Sequence, residues 1–127
     1  MMSALNKWHG YMKSHSPDDL AAMLADDVIF ESPVVHTPQV GKDITFKYLW
    51  SAAKVLGGEG FTYLNEWHGE RSAILEFEQT VDGIKINGID MIWWNQDNLI
   101  TRFKVMVRPL KAVNMLHSMM GAQLAAT

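Results

Sequence analysis

Between Phe61 and Val107 the chain leaves the three- and four-residue spacing of helices and adopts the alternation of strands in four successive runs. The runs are Phe61 to His68, Arg71 to Val81, Ile84 to Asn95 and Leu99 to Val107, joined at Gly69, at Asp82-Gly83 and at Asn95 to Asn98. Connections this short join antiparallel neighbours, because a parallel crossover needs a dozen residues or more. Asp82-Gly83 is the strongest hairpin signal, since a two-residue turn of matching twist needs positive φ at both positions. The second half of the chain is therefore expected to be a β-meander.

The first half reads as helices. Leu5, Trp8, Tyr11, Met12 and His15 share one face of a helix over Ser3 to His15. Ser16-Pro17 starts a second, with Asp18 and Asp19 in its first turn and Leu20, Met23 and Leu24 buried, ending at Asp26-Asp27. Val28 to Ser32 is a short strand closed by Pro33, and Val34 to Gly41 is a loop. A third helix spans Lys42 to Leu56 and stops at Gly57-Gly58. After Arg108-Pro109, Leu110, Val113, Leu116, Met120 and Leu124 mark a final amphipathic helix.

Helices followed by consecutive strands imply an α+β fold, in which a curved antiparallel sheet carries N-terminal helices over its concave face and a C-terminal helix beside them. The 127 residues are expected to form one domain, 1–127. In the third strand of the meander both parities are apolar, with Ile86, Ile92 and Trp94 on one side and Ile89, Met91 and Trp93 on the other. A second cover for such a strand is most simply another copy of the chain, so a homodimer through the outer sheet face is expected.

Composition removes several classes of function. Without cysteine there is no thiolate chemistry and no Cys-ligated metal. The histidines at 9, 15, 36, 68 and 117 lack the close pairing of a local metal site, so neither metal nor cofactor is expected. Eleven Lys and Arg against fourteen Asp and Glu leave no basic stripe for nucleic acid. Gly57-Gly58-Glu59-Gly60 follows a helix and precedes a strand, the wrong order for a phosphate loop. No run is long enough to span a membrane, and Met1 to His15 lacks the apolar stretch of a signal peptide, so a cytoplasmic location is expected.

Asp90 is the residue that points most directly to chemistry, because it lies among Ile86, Ile89, Met91, Ile92 and Trp94. A carboxylate in such a place costs several kcal/mol unless it is paired or protonated, on the order given by burial of isolated charges. It is either a proton-bearing carboxyl group in a pocket or a structural acid that accepts from a neighbouring backbone group or pairs with Arg102 or Lys104.

Tyr11 to Leu24, then Leu24-Ala25-Asp26-Asp27-Val28 running to Glu31-Ser32-Pro33-Val34, and Gly88-Ile89-Asp90-Met91-Ile92 followed by Asn98-Leu99-Ile100, resemble the nuclear transport factor 2-like superfamily. Within it the chain is most similar to the SnoaL-like and ketosteroid-isomerase-like branch, and the match covers nearly the whole sequence. The resemblance implies a cone-shaped α+β fold and an oxyanion site in which Tyr11 and a protonated Asp90 donate to a developing enolate oxygen. The position that it gives to the general base is Ser32, a neutral hydroxyl that is no proton shuttle. His36, in the following loop, is the expected replacement. Trp8, Ser32, Tyr63, Phe77, Trp94, Phe103 and Val107 are the expected pocket lining.

The expected function is thus isomerase, cyclase or lyase chemistry beside a carbonyl or enol of an apolar, ring-like small molecule. Binding of an apolar ligand without turnover, and a dimerisation domain with a filled cone, are the alternatives.

Overall fold

A computed structural model describes residues 3–126; Met1, Met2 and Thr127 lie outside the described residues. Its elements run α1 (Ala4–Ser14), α2 (Pro17–Ala22), β1 (Leu24–Glu31), β2 (Gln39–Val40), α3 (Lys42–Leu56), β3 (Thr62–His68), β4 (Ser72–Val81), β5 (Ile84–Trp94), β6 (Ile100–Arg108) and α4 (Leu110–Ala125). The strands form one curved sheet in the order β2-β1-β6-β5-β4-β3, with helices over its concave side.

Local chemistry accounts for most boundaries. The Ser3 and Ser16 side chains cap α1 and α2 by accepting from Asn6 N and Asp19 N. Asp82 and Gly83 both hold positive φ, 49° and 77°, and turn β4 into β5 in two residues, Val81 facing Ile84. Register shifts within β1, within β3 and between Trp93 and Trp94 bend the strands locally.

Two features depart from the expected layout. The strand β1 begins at Leu24, so the segment expected to close the second helix is already extended. Ile100 N donates to Met23 O, and the β1–β6 pairing starts at Leu24 and Ile100. That pairing is parallel, so the sheet is antiparallel except at this seam. The loop after β1 also contributes β2, which pairs antiparallel with β1 through Ile29–Val40 and Phe30–Gln39.

The two central meander strands, β4 and β5, alternate cleanly. In β5 the even positions Ile86, Gly88, Asp90 and Ile92 are buried, while Asn87, Ile89, Met91 and Trp93 face the outer side half-buried. The inward side chains meet those of α1 in one core, which contains Trp8, Tyr11, Phe30, Leu75, Ile92 and Phe103. A second core joins Phe77 and Ile86 to Ala112 and Leu116 of α4. The space between these cores and α3 is not filled.

Candidate functional site

That space is a cavity of about 730 Å³, counting its open mouth. The concave sheet supplies Phe30, Phe77, Phe103 and Val105; α3 adds Leu49, Ala52, Ala53 and Leu56, and α4 adds Leu116 and Met120. The small alanines of α3 leave room where larger residues would close it. Against this apolar wall stand, among the described residues, only two titratable groups, Tyr11 and Asp90.

Asp90 sits mid-strand, opposite Leu75 of β4 and Val105 of β6, and is 7% exposed. Burial pushes its carboxyl up to about 7, partly countered by a hydrogen bond from Tyr63. Tyr63 O–H donates to Asp90 Oδ2 at 2.6 Å, and Trp8 Nε1–H donates to the Tyr63 oxygen at 2.9 Å. No basic side chain shares in this arrangement: Arg102 instead donates to Glu31 on the outer face and lies 4.7 Å over the Trp93 ring. Asp90 is thus not the ion-paired structural acid that the sequence left open.

Tyr11 reaches the cavity because Trp8 and Tyr11, three residues apart, share the inward face of α1. Their rings are 5.4 Å apart, and Trp8 lies 4.8 Å from Phe103. The Tyr11 hydroxyl is buried, makes no hydrogen bond within the chain, and is pushed up to about 12 by burial. A buried hydroxyl without a partner costs free energy, so it offers a donor to any acceptor that enters.

Among the residues singled out from the sequence, Trp8, Tyr11, Ser32, Phe77, Asp90 and Phe103 line this one cavity. The Ser32 hydroxyl accepts from Val34 N at 3.1 Å and thereby shapes the turn after β1. Four residues lie elsewhere. His36 sits on the exposed part of the loop between β1 and β2, outside the lining. Val107 packs with the Phe77 and Leu116 core at the level of Gly88, and its strand neighbour Val105 forms the wall instead. Trp94 packs into the core near the end of β5. Tyr63 lies behind the wall as the bonding partner of Asp90.

Sequence reasoning missed Phe61, Leu49, Ala52, Ala53 and Leu56 as lining. The alternation of Ala52-Ala53 with leucines on a helix facing a concave sheet was the available signal. No group of three or more potential metal ligands occurs among the described residues. No helix among them is long and apolar enough to cross a membrane.

An α+β cone with a polar pair inside a largely apolar cavity defines a pocket protein of the nuclear transport factor 2-like type. No protein-family model matches the sequence, and no curated protein does. Solved structures do. A steroid delta-isomerase from Pseudomonas aeruginosa is similar at 34% identity over 97% of this chain and 90% of that one, with a TM-score of 0.91. An uncharacterised protein with a cystatin-like fold from Silicibacter pomeroyi is 28% identical over 97% and 86%, with a TM-score of 0.87. A protein with a ketosteroid isomerase-like fold from Catenulispora acidiphila, solved with trimethylamine, shares the fold at 11% identity over 87% and 88%, with a TM-score of 0.63. The chain belongs to the nuclear transport factor 2-like superfamily, in its SnoaL-like and ketosteroid-isomerase-like branch.

Proposed function

We propose that this protein binds an apolar, ring-like molecule through a carbonyl or enol oxygen and moves a proton on the adjacent carbon, as an isomerase, cyclase or lyase does. The observation that carries the reading is the presence of an unpartnered Tyr11 hydroxyl together with Asp90 as the only titratable groups, among the described residues, in a largely apolar cavity. The similarity to a steroid delta-isomerase supports the same class of chemistry.

In this reading Tyr11 donates to the oxygen on which charge develops, a contribution of about 3 kcal/mol to the transition state for a well-placed donor. Asp90, which titrates near neutrality, takes a proton from the carbon beside the carbonyl as a carboxylate. For an isomerisation it returns that proton to another carbon of the conjugated system, so that the product is an isomer and no other reactant is consumed. His36 has no part in this route, because its side chain is exposed outside the cavity. Apolar walls and the absence of any cation from the lining favour a neutral, hydrophobic ligand.

The test is calorimetric titration with 2-naphthol, whose ring fits an apolar wall and whose oxygen mimics an enol. We expect saturable binding that weakens about tenfold or more in folded Tyr11→Phe and Asp90→Leu but persists in Asp90→Asn, which keeps a polar group of the same shape beside the ligand although it can no longer take up a proton. Equal binding by all four proteins would overturn the site.

The same proposal includes a homodimer through the outer face, where Leu64, Trp67 and Met106 are 46%, 55% and 47% exposed beside half-buried Ile74, Ile89 and Met91. Sedimentation equilibrium should give twice the chain mass, and Met91→Lys should return it to one. A monomeric wild type would remove this part of the proposal.

A further inference from the structure

Asp90 has two oxygens, and the structure treats them differently. Oδ2 receives the Tyr63 hydroxyl, whereas Oδ1 has no hydrogen-bond partner among the described residues. Tyr63 in turn is held by Trp8, whose indole nitrogen is a donor and never an acceptor. The Tyr63 oxygen must therefore accept from Trp8, and its single hydrogen has Asp90 as its only acceptor. Reversing the second bond, with Asp90 donating to Tyr63, would leave the phenol hydrogen without a partner in a buried position, which is unfavourable.

We infer that Trp8 and Tyr63 form a one-way donor chain that reserves Oδ2 of Asp90 as an acceptor, so that the exchangeable proton of this carboxyl resides on Oδ1, the oxygen left for a ligand. Tyr63 and Trp8 are positioning residues in this scheme. They touch neither the reacting carbon nor its proton, but they decide which oxygen presents it. The inference deepens the proposed function and rests on it for the meaning of Oδ1, although the chain itself is testable without any ligand.

The surroundings keep the test clean. Tyr11 from α1 and Tyr63 from β3 are the titratable groups beside Asp90; its neighbours Leu75 on β4 and Val105 on β6 are apolar, as is the lining from α3 and α4. Farther out, Glu66 of β3 binds both His9 and His68, and the His9 ring meets the Tyr63 ring edge-on at 5.8 Å. His9→Gln and His68→Gln are the controls for any change transmitted through that outer cluster.

The experiment follows the Asp90 carboxyl by carbon NMR in protein labelled at aspartate Cγ, across pH 4 to 9. A donor that stabilises the ionised form holds a carboxyl's midpoint down. Tyr63→Phe should therefore raise the Asp90 midpoint by about one pH unit, a tenfold gain in proton affinity. Trp8→Phe should raise it in the same direction by less, since Tyr63 remains but is no longer committed.

An unchanged midpoint in folded Tyr63→Phe, or a fall in either variant, would overturn the chain. Should Tyr63→Phe fail to fold, Trp8→Phe decides alone, with no rise counting against the inference. The two readings fail separately. If naphthol binding depends on Asp90 while its midpoint ignores Tyr63, the site stands and the chain is wrong. If the midpoint moves while naphthol binding ignores Asp90, the reverse holds.

Discussion

The two faces of strand β5 carry opposite mismatches with their surroundings. Inward, Asp90 is a lone acid opposite Leu75 and Val105, and burial raises its carboxyl to about 7. Outward, Ile89 and Met91 are apolar positions near Glu76, Lys104 and Arg102, where acids are pulled the other way. Glu76 is held below its ordinary range by amide donors from Asn65 and Asn87, and Glu31 by the hydrogen bond from Arg102. The same residue class thus behaves as a proton holder on one side of a sheet and as a permanent anion on the other. What separates them is solvent and the number of donors, not distance along the chain.

The largest expected effect that could break this contrast concerns pH. Unfolded, Asp90 titrates near 3.8; folded, near 7. The folded state therefore keeps a proton that the unfolded chain releases, and the stability this contributes is full below about pH 4 and lost as pH rises through 7. Urea unfolding at pH 4 and pH 8 should show wild type losing on the order of 4 kcal/mol more than Asp90→Asn over that interval. Parallel profiles would mean that the inner acid behaves like the outer ones. The outer glutamates have the opposite sign, contributing above their unfolded pKa and losing that contribution as pH falls.

Next in size is the wall behind the acid. Leu75→Ala removes a fully buried side chain opposite Asp90 and should cost about 3 kcal/mol in chemical denaturation. A cost below about 1 kcal/mol would show that the inner face is loosely packed. Gly88→Ala should cost about 2 kcal/mol, since its new methyl would lie 2.5 Å from Phe77 Cζ and 2.7 Å from the Met106 carbonyl oxygen. A neutral result there would mean that Phe77 can swing aside, and that the cavity end is softer than its geometry indicates. Smallest, Glu31→Gln on the outer face should change stability by less than about 1 kcal/mol, because the Arg102 side chain, 44% exposed, stays in contact with water. A larger loss would make the outer face an organised ionic network rather than a surface awaiting a partner.

Local rules were readable in the sequence where a single segment decides its own fate. The helix Lys42–Leu56 ends where Gly57 stops it, and the Asp82-Gly83 turn sets the register of β4 and β5. Burial of Asp90 followed from the apolar residues on either side of it. Where a distant segment decides, the sequence was silent. Leu24 and Ala25 are extended because Ile100, 76 residues later, pairs there, and no local propensity carries that information. The partner of Asp90 was hidden for the same reason: Tyr63 was visible as an aromatic on an inward parity, but its bond to Asp90 depends on how far β3 is shifted by its bulge. His36 was placed by nearness to Ser32 along the chain, which a loop does not preserve in space.

The parallel seam between β1 and β6 also orders events in time. Strands β3 to β6 close through hairpins and short turns, so they need little chain to find one another. Strand β1 is made early yet has no principal neighbour until β6 exists, and it carries Phe30 and leads directly into Ser32. A chain emerging from a ribosome would hold its helices and β1 in waiting until residue 100 and beyond had been released. The cavity, walled by Phe30 and Ser32 at one side of the seam and by Phe103 and Val105 at the other, is therefore complete only once residues about 70 positions apart have met.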